Sequence, residues 1–139
     1  MTSVTRRSSP SRQTVAGLLE SARSRLERLD PAGASSAMDH GAVIIDTRCA
    51  DVRRLSGVIP GSVHVPLSVL YWRLDPTSGH ADPATSDPER QIVLVCAHGF
   101  SSSLAAATLH ELGFSRATDI VGGFEAWAAA GLPVEPLSD

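Results

Sequence analysis

Ile92–Val95 is an unbroken run of four apolar residues, set between the polar Glu89, Arg90 and Gln91 and the glycine- and serine-rich stretch CAHGFSSS, Cys96–Ser103. A strand with one wet face alternates apolar and polar side chains, so a run without alternation has to be covered on both faces. A central parallel strand meets that condition. Ala42–Asp46 (AVIID), bounded by Gly41, is a second short apolar run. Ser102–Leu112 reads as a helix stopped by Gly113 in the C′ position. Thr118–Val121 is a third strand, and GGFEAWAAAG gives a tight turn and a last helix ended by Gly131 and Pro133. Strands alternating with helices predict an α/β domain with a mainly parallel sheet. Such sheets bind ligands beyond the carboxyl ends of their strands. Cys96 lies there.

The rest of the chain supplies fewer constraints. Residues 1–13 hold Ser, Thr, Arg and Pro with little to bury, which predicts a disordered tail. Val15, Leu18, Leu19, Ala22, Leu26 and Leu29 follow helical spacing, so residues 14–29 read as an amphipathic leading helix. Arg23, Arg25 and Arg28 lie on its opposite, solvated face, and Asp30-Pro31 stops it. A short helix from about Pro31 to Met38 follows, capped by Asp30. Gly57–Leu67 (GVIPGSVHVPL) is a turn leading into a short extended segment, and Ser68–Arg73 has room for one or two helical turns. Residues 77–91, interrupted by Pro83 and Pro88 and preceded by Pro76, form a long loop. Loops of that length are commonly functional or mobile.

At 139 residues the chain is long enough for one domain with its own core, residues 30–139. Hydrophobic residues make up 42% and charged residues 19%, as in ordinary globular proteins. No apolar run approaches the roughly 18 residues that cross a bilayer. The N-terminal arginines lead into no apolar stretch, so no secretory signal is read and the expected location is cytoplasmic, with no membrane partner. Residues 1–28 carry six arginines against Glu20 and Glu27, a balance of +4; six arginines against thirteen acids, −7, follow, and together they make the net −3. The basic segment lacks interleaved aromatics and reads as a solvated tail rather than a nucleic-acid site. The chain has no lysine, which excludes Schiff-base chemistry and a phosphate-loop lysine. Its two cysteines, Cys49 and Cys96, form no C-x-x-C pair, which argues against a disulfide scaffold or a zinc site.

A thiol acts as a nucleophile in its thiolate form. Successive backbone amides curling round a sulfur, followed by a helix N-terminus, stabilise negative charge. Gly99 lets the loop turn tightly, and Ser101, Ser102 and Ser103 add hydroxyl donors and a helix cap. Strand, Cys96, short loop and helix therefore make an anion cradle around a sulfur. The alternative is an exposed cysteine in a plain strand–helix turn.

Four segments, in order and spacing, resemble the rhodanese-like domains. IDTR (Ile45–Arg48) is similar to their D-x-R signature, GVIPGSVHVPL to their G-H-I-P-G-A segment, CAHGFSS (Cys96–Ser102) to their C-x-x-G-x-R-S loop, and GGFEAW (Gly122–Trp127) to their closing G-G-x-x-x-W. The likeness spans about residues 30 to 136, and with WRLDP (Trp72–Pro76) it resembles the compact single-domain bacterial proteins of this kind. The resemblance implies a three-layer α/β domain, a five-stranded mainly parallel sheet with helices on both faces. It implies a sulfurtransferase in which Cys96 takes a sulfane sulfur from thiosulfate, a persulfide or a polysulfide, holds it as a persulfide, and delivers it to a thiol, to cyanide or to a sulfur-accepting protein. The amides of Ala97, His98, Gly99, Phe100, Ser101 and Ser102 would hold the outer sulfur. No metal or organic cofactor is implied.

Three departures from the pattern bear on activity. Ser101 stands where the family loop carries an arginine, Val58 replaces the histidine of G-H-I-P-G, and Ser56 replaces the acid before that glycine. An arginine fork pairs with an oxyanion such as thiosulfate, whereas serine offers one neutral donor. The related phosphatases of this fold also need an arginine, one position further along, where Ser102 stands, so a phosphatase is disfavoured. Asp46 and Arg48 are read as a supporting pair beside the site, and Arg73 as a cation at the start of the long loop that folds over the pocket mouth. His98 points to solvent or assists the thiolate, Phe100 offers an apolar rim for the acceptor, and Phe124 and Trp127 belong to the core. His64 packs near the sheet. Cys49 is an ordinary loop cysteine or resolves a Cys96 persulfide as a disulfide. An active sulfurtransferase and a non-catalytic interaction or redox-sensing module remain the two function classes.

Overall fold

The computed structural model describes residues 12–138. Four strands, β1 (Val43–Asp46), β2 (Val63–His64), β3 (Ile92–Val95) and β4 (Ala117–Asp119), form one sheet in the order β2-β1-β3-β4. Every pair is parallel, and β1 and β3 run in full register from Val43 beside Ile92 to Asp46 beside Val95. The helices are α1 (Val15–Arg23), α2 (Pro31–Asp39), α3 (Ala50–Ser56), α4 (Leu70–Leu74), α5 (Ser101–Glu111) and α6 (Gly123–Ala129).

β1 and β3 are buried along their whole length, which is why neither alternates in polarity. Their side chains still alternate in direction and divide the core in two. Ile45 and Leu94 pack with Leu70, Leu74, Leu109 and Phe114 on one face. Ile44 and Val93 pack with Ala34, Ile59, Ile120, Phe124 and Trp127 on the other. Helices thus cover both faces, as expected of a three-layer domain.

The sheet has four strands rather than five. At the β4 edge the fifth is reduced to a single parallel bridge between Leu29 and Ile120, closed by Leu29 N–H on the Asp119 carbonyl (3.1 Å) and Val121 N–H on the Leu29 carbonyl (2.8 Å). The same feature shortens the leading helix. α1 is capped by Thr14 Oγ1 on the Gly17 amide and ends at Arg23, not at Leu29. Thr118 Oγ1 donates to the Glu27 carbonyl at 3.0 Å, and the chain beyond the helix runs along β4. Leu26 and Leu29 keep helical spacing in sequence but pack against opposite faces of the sheet. The disorder expected for residues 1–13 falls, for residues 1–11, outside the described residues.

α2 begins at Pro31 with Asp30 accepting from the Gly33 amide, as the sequence predicts. Residues 77–91 contain no helix or strand. α3 has no counterpart in the sequence reading. It has little apolar face, with Leu55 88% exposed, and what holds it is an ion pair of Arg53 with Asp46.

Candidate active site

Cys96 is the first residue past β3, and its side chain is buried. The loop that follows is shaped by what its carbonyls bind. The Cys96 carbonyl accepts from Phe124 N–H at 2.8 Å and the Ala97 carbonyl from Glu125 N–H at 3.1 Å, both first-turn amides of α6. The Gly99 carbonyl accepts from Arg23 Nη2 at 2.7 Å and Arg28 Nη2 at 3.2 Å. A trans peptide points its N–H opposite to its C=O. Tying these three carbonyls outward therefore turns the amides of Ala97, His98 and Phe100 the other way, and among the described residues no backbone group accepts from them. Unpaired amides in succession beside a sulfur are what an anion cradle requires.

Two glycines make the cradle close enough to work. Gly99 has φ +84°, and a Cβ on it would lie 2.8 Å from the Gly122 amide nitrogen. Gly123 has φ +65°, and a Cβ there would lie 2.5 Å from the Cys96 carbonyl oxygen and 2.7 Å from the Gly99 nitrogen. The Gly122-Gly123 turn thus brings the start of α6 against the loop. Trp127 donates Nε1–H to the Pro133 carbonyl at 2.8 Å and is core, as expected.

The sulfur accepts from Gly99 N–H at 3.2 Å and lies 3.2 Å from Ser102 Oγ. Burial pushes the Cys96 thiol up, but the hydroxyls of Ser102 and Ser101 and the amides of Ser102 and Gly99 outweigh it and hold the thiol below its ordinary value. Ser101 and Ser102 lie inside α5 and not at its cap. Phe100 occupies the cap position without a side-chain bond, which corrects the expected serine cap. Ser102 and Ser103 both donate to Asp119 Oδ2 at 2.7 Å, and all three residues are fully buried.

Asp46 and Arg48 pair with each other at the carboxyl end of β1. Asp46 Oδ1 accepts from the Arg48 amide and Nε (3.0 Å each), and Oδ2 from Arg48 Nη2 at 2.8 Å and Arg53 Nε at 3.1 Å. Two guanidiniums facing one carboxylate leave a net single positive charge. Arg48 also donates to the Gly57 carbonyl at 2.8 Å, and its guanidinium carbon lies 3.8 Å from the centre of the Phe124 ring. His64 Nε2 donates to the Arg48 carbonyl at 2.8 Å, a scaffolding role. Arg48 and Phe124 line a cleft of about 360 Å³ with Ala97, His98, Val52 and Glu125. His98 is exposed, with Nδ1 3.7 Å from Glu125 Oε1.

Other expected site residues lie apart from this arrangement. Arg73 donates to the His80 carbonyl at 3.1 Å and pairs with Asp82 at 3.8 Å, so it folds the long loop onto itself instead of reaching the Cys96 loop. Phe100 is 60% exposed and borders an apolar groove of about 480 Å³ with Val15, Leu19, Ser101 and Leu104. Cys49 is an exposed free thiol at the start of α3. Among the described residues no cluster of His, Cys, Asp and Glu is arranged to hold a metal, and no helix is long and apolar enough to cross a membrane.

Three residues at the back of the loop were not read as site residues from the sequence: Asp119, Arg23 and Arg28. Asp119 was legible only as a lone carboxylate at the end of a buried strand. The arginines were placed on a solvated helix face, but with α1 ending at Arg23, Arg28 is free to turn inward onto Asp119 at 2.8 Å.

The domain is a parallel α/β sheet with a buried cysteine at a strand exit, its thiol held below its ordinary value, followed by loop amides from which, among the described residues, no backbone group accepts. The rhodanese-like domain family model matches residues 30–130. Thiosulfate sulfurtransferase GlpE of Pseudomonas savastanoi pv. phaseolicola is 39% identical over 103 residues, 74% of this chain and 88% of that protein. GlpE of Ectopseudomonas mendocina is 36% identical, covering 76% and 88%. Among solved structures, a Rhodopseudomonas palustris protein described as a possible tyrosine phosphatase superposes with a TM-score of 0.82 at 33% identity, covering 91% of this chain and 98% of that one. The polysulfide-sulfur transferase of Wolinella succinogenes, a homodimer, gives 0.67 at 25% identity, covering 86% and 85%. The chain belongs to the rhodanese-like family, and the expectation of a sulfurtransferase agrees with the names of the GlpE and polysulfide-sulfur transferase relatives.

Proposed function

We propose that Cys96 is the sulfur carrier of this sulfurtransferase. The observation that supports this reading best is the set of tied carbonyls at Cys96, Ala97 and Gly99, which leaves the amides of Ala97, His98 and Phe100 without a backbone acceptor among the described residues while Gly99 N–H donates to the sulfur. In the first half-reaction the Cys96 thiolate attacks the sulfane sulfur of a donor. The donor's S–S bond breaks, its electron pair leaves on sulfite or a thiolate, and Cys96 becomes a persulfide anion. The amides of Ala97 to Ser102 carry that charge, as in other preorganised anion sites. In the second half-reaction a thiolate or cyanide attacks the outer sulfur, and the electron pair of the broken S–S bond returns to Cys96.

The donor class follows from the loop's charge. Thiosulfate brings two negative charges and leaves as sulfite, and Ser101 supplies no cation. Arg48 borders the cleft, but its charge faces the Asp46 carboxylate and its Nε and Nη2 are taken by Asp46 and Gly57, so among the described residues only Nη1 is without a partner. Persulfides and polysulfides are therefore the favoured donors, with thiosulfate a weaker one. The acceptor is a small thiol or a sulfur-accepting protein. A cytoplasmic setting in a bacterium suits the two unpaired thiols and the bacterial relatives. Phosphate-ester hydrolysis suits the site less well, because Ser101 and Ser102 leave the loop without an arginine for a dianionic phosphate. The test is to incubate the purified protein with glutathione persulfide, polysulfide or thiosulfate and read the intact mass for a one-sulfur adduct. Such an adduct, absent in Cys96→Ser, is expected; its persistence in that variant would contradict the assignment.

A further inference from the structure

We propose that Arg28, assisted by Arg23, is a positioning residue that lets the buried Asp119 serve the Cys96 thiolate instead of opposing it. Both arginines precede residues 30–130, the part of the chain that the family model matches.

The case begins with a count of protons. Ser102 has one hydroxyl hydrogen and two neighbours for it, Asp119 Oδ2 at 2.7 Å and Cys96 Sγ at 3.2 Å. With Cys96 as the thiol, S–H donates to Ser102 Oγ and Ser102 donates to Asp119. With Cys96 as the thiolate, the same hydrogen is needed at sulfur, and Asp119 has to give it up. It can do so because its oxygens keep other donors: Arg28 Nε on Oδ1 at 2.8 Å, and Arg28 Nη2 at 3.2 Å with Ser103 Oγ at 2.7 Å on Oδ2. Arg23 Nε in turn donates to Ser103 Oγ at 3.1 Å, and of the two acceptors near the Ser103 hydroxyl, Asp119 Oδ2 at 2.7 Å and the Gly99 carbonyl at 3.3 Å, the carboxylate is the nearer and the charged one.

Charge leads to the same conclusion. Asp119 is fully buried one hydroxyl away from the sulfur, and a bare carboxylate there would raise the thiol's pKa. Arg28, only 16% exposed, neutralises it. Both guanidiniums also hold the Gly99 carbonyl outward and so aim the Phe100 amide into the cradle. The other charged groups around the loop are Asp46 at the end of β1, Arg48 just past it, Arg53 on α3, His98 in the loop and Glu125 on α6. None of these contacts Asp119, so variants at Arg28 and Asp119 leave them in place.

The proposal rests on Cys96 as the reactive sulfur, but its test reads the thiol before any donor is added. The rate of iodoacetamide alkylation of Cys96 is followed against pH in a Cys49→Ser background of the full chain. Arg28→Met is expected to raise the apparent thiol pKa by about one unit, roughly a tenfold loss of thiolate at pH values below the wild-type midpoint. Asp119→Asn is expected to move it the other way, because Arg28 is then unopposed. The double variant removes both buried charges, is the one best able to keep the fold, and is expected to return close to the wild-type value. A merely structural network would shift both single variants in the same direction, with the double variant worse than either. That result, or an unchanged midpoint in folded Arg28→Met, would overturn the proposal. If Cys96 titrates as expected but accepts no sulfur from persulfide, the carrier reading fails and the positioning role stands.

Discussion

Ser102 Oγ lies 3.2 Å from the Cys96 sulfur, on the same helix turn that closes the loop. With the Gly99 amide on the other side, it holds an otherwise disfavoured buried thiolate below the ordinary thiol pKa. Ser102→Ala removes that donor, while Asp119 keeps Ser103 and Arg28. The expected outcome is a rise in the alkylation midpoint and a roughly tenfold slower sulfur transfer at neutral pH, from the loss of about 1–1.5 kcal/mol. The melting temperature should change little. The sign of the pH effect on stability follows from the lowered pKa. Relative to Cys96→Ser, the wild type gains stability as pH rises from its folded thiol pKa to the unfolded one, keeps the gain above that, and loses it as pH falls through the folded value. Denaturant titrations across that window check it.

Gly123 is the position where the closing turn has no room for a side chain. A Cβ there would meet the Cys96 carbonyl and the Gly99 amide, both backbone, at a positive φ. Gly123→Ala is expected to cost about 2–4 kcal/mol and to displace the α6 amides from the loop carbonyls. Activity should fall further than the folded fraction does, as read by parallel unfolding and sulfur-transfer assays.

Asp46 holds two buried guanidiniums, and removing it strands them. Asp46→Ala should destabilise the protein by about 3–5 kcal/mol and loosen α3, which Arg53 ties to the sheet. The exposed Arg54–Asp51 pair is the control, and Asp51→Ala should cost less than about 1 kcal/mol. Chemical denaturation of both variants separates the cases.

What the sequence made legible, and what it did not, follows from the range of the interactions. The β1 and β3 runs, the α2 cap and the order of strand, Cys96, glycine and helix depend on residues near each other in the chain and could be read, whereas the loop's shape rests on Phe124, Glu125, Arg23 and Arg28, far off in the chain. The GGFEAW segment was recognisable by pattern, but its reason, amides donated to the Cys96 and Ala97 carbonyls, needs the tertiary contact. α3 escaped because an ion pair to Asp46 holds it, leaving little apolar periodicity. Arg28 and Asp119 escaped for a related cause: they are 91 residues apart and meet only because the chain leaves α1 early to run beside β4. Helical spacing at Leu26 and Leu29 hid that departure.

The proposed donor preference turns on Ser101. Ser101→Arg introduces a charged fork at the loop, and a charge-assisted bond made in the transition state contributes about 1.5–3 kcal/mol. Thiosulfate kcat/KM should rise at least tenfold, and persulfide kcat/KM by no more than about threefold. Equal gains for both donors would show that the loop's charge does not select between them.

The most direct measurement is the mass of the protein after brief exposure to polysulfide, followed by peptide mapping and addition of cyanide. One sulfur on Cys96, none on Cys49, and release of one equivalent of thiocyanate is the expected result. The same outcome in Cys49→Ser, and its loss in Cys96→Ser, completes it. A sulfur that maps to Cys49, or a Cys96 that stays unmodified while the protein is folded, would contradict the assignment of Cys96 as the carrier.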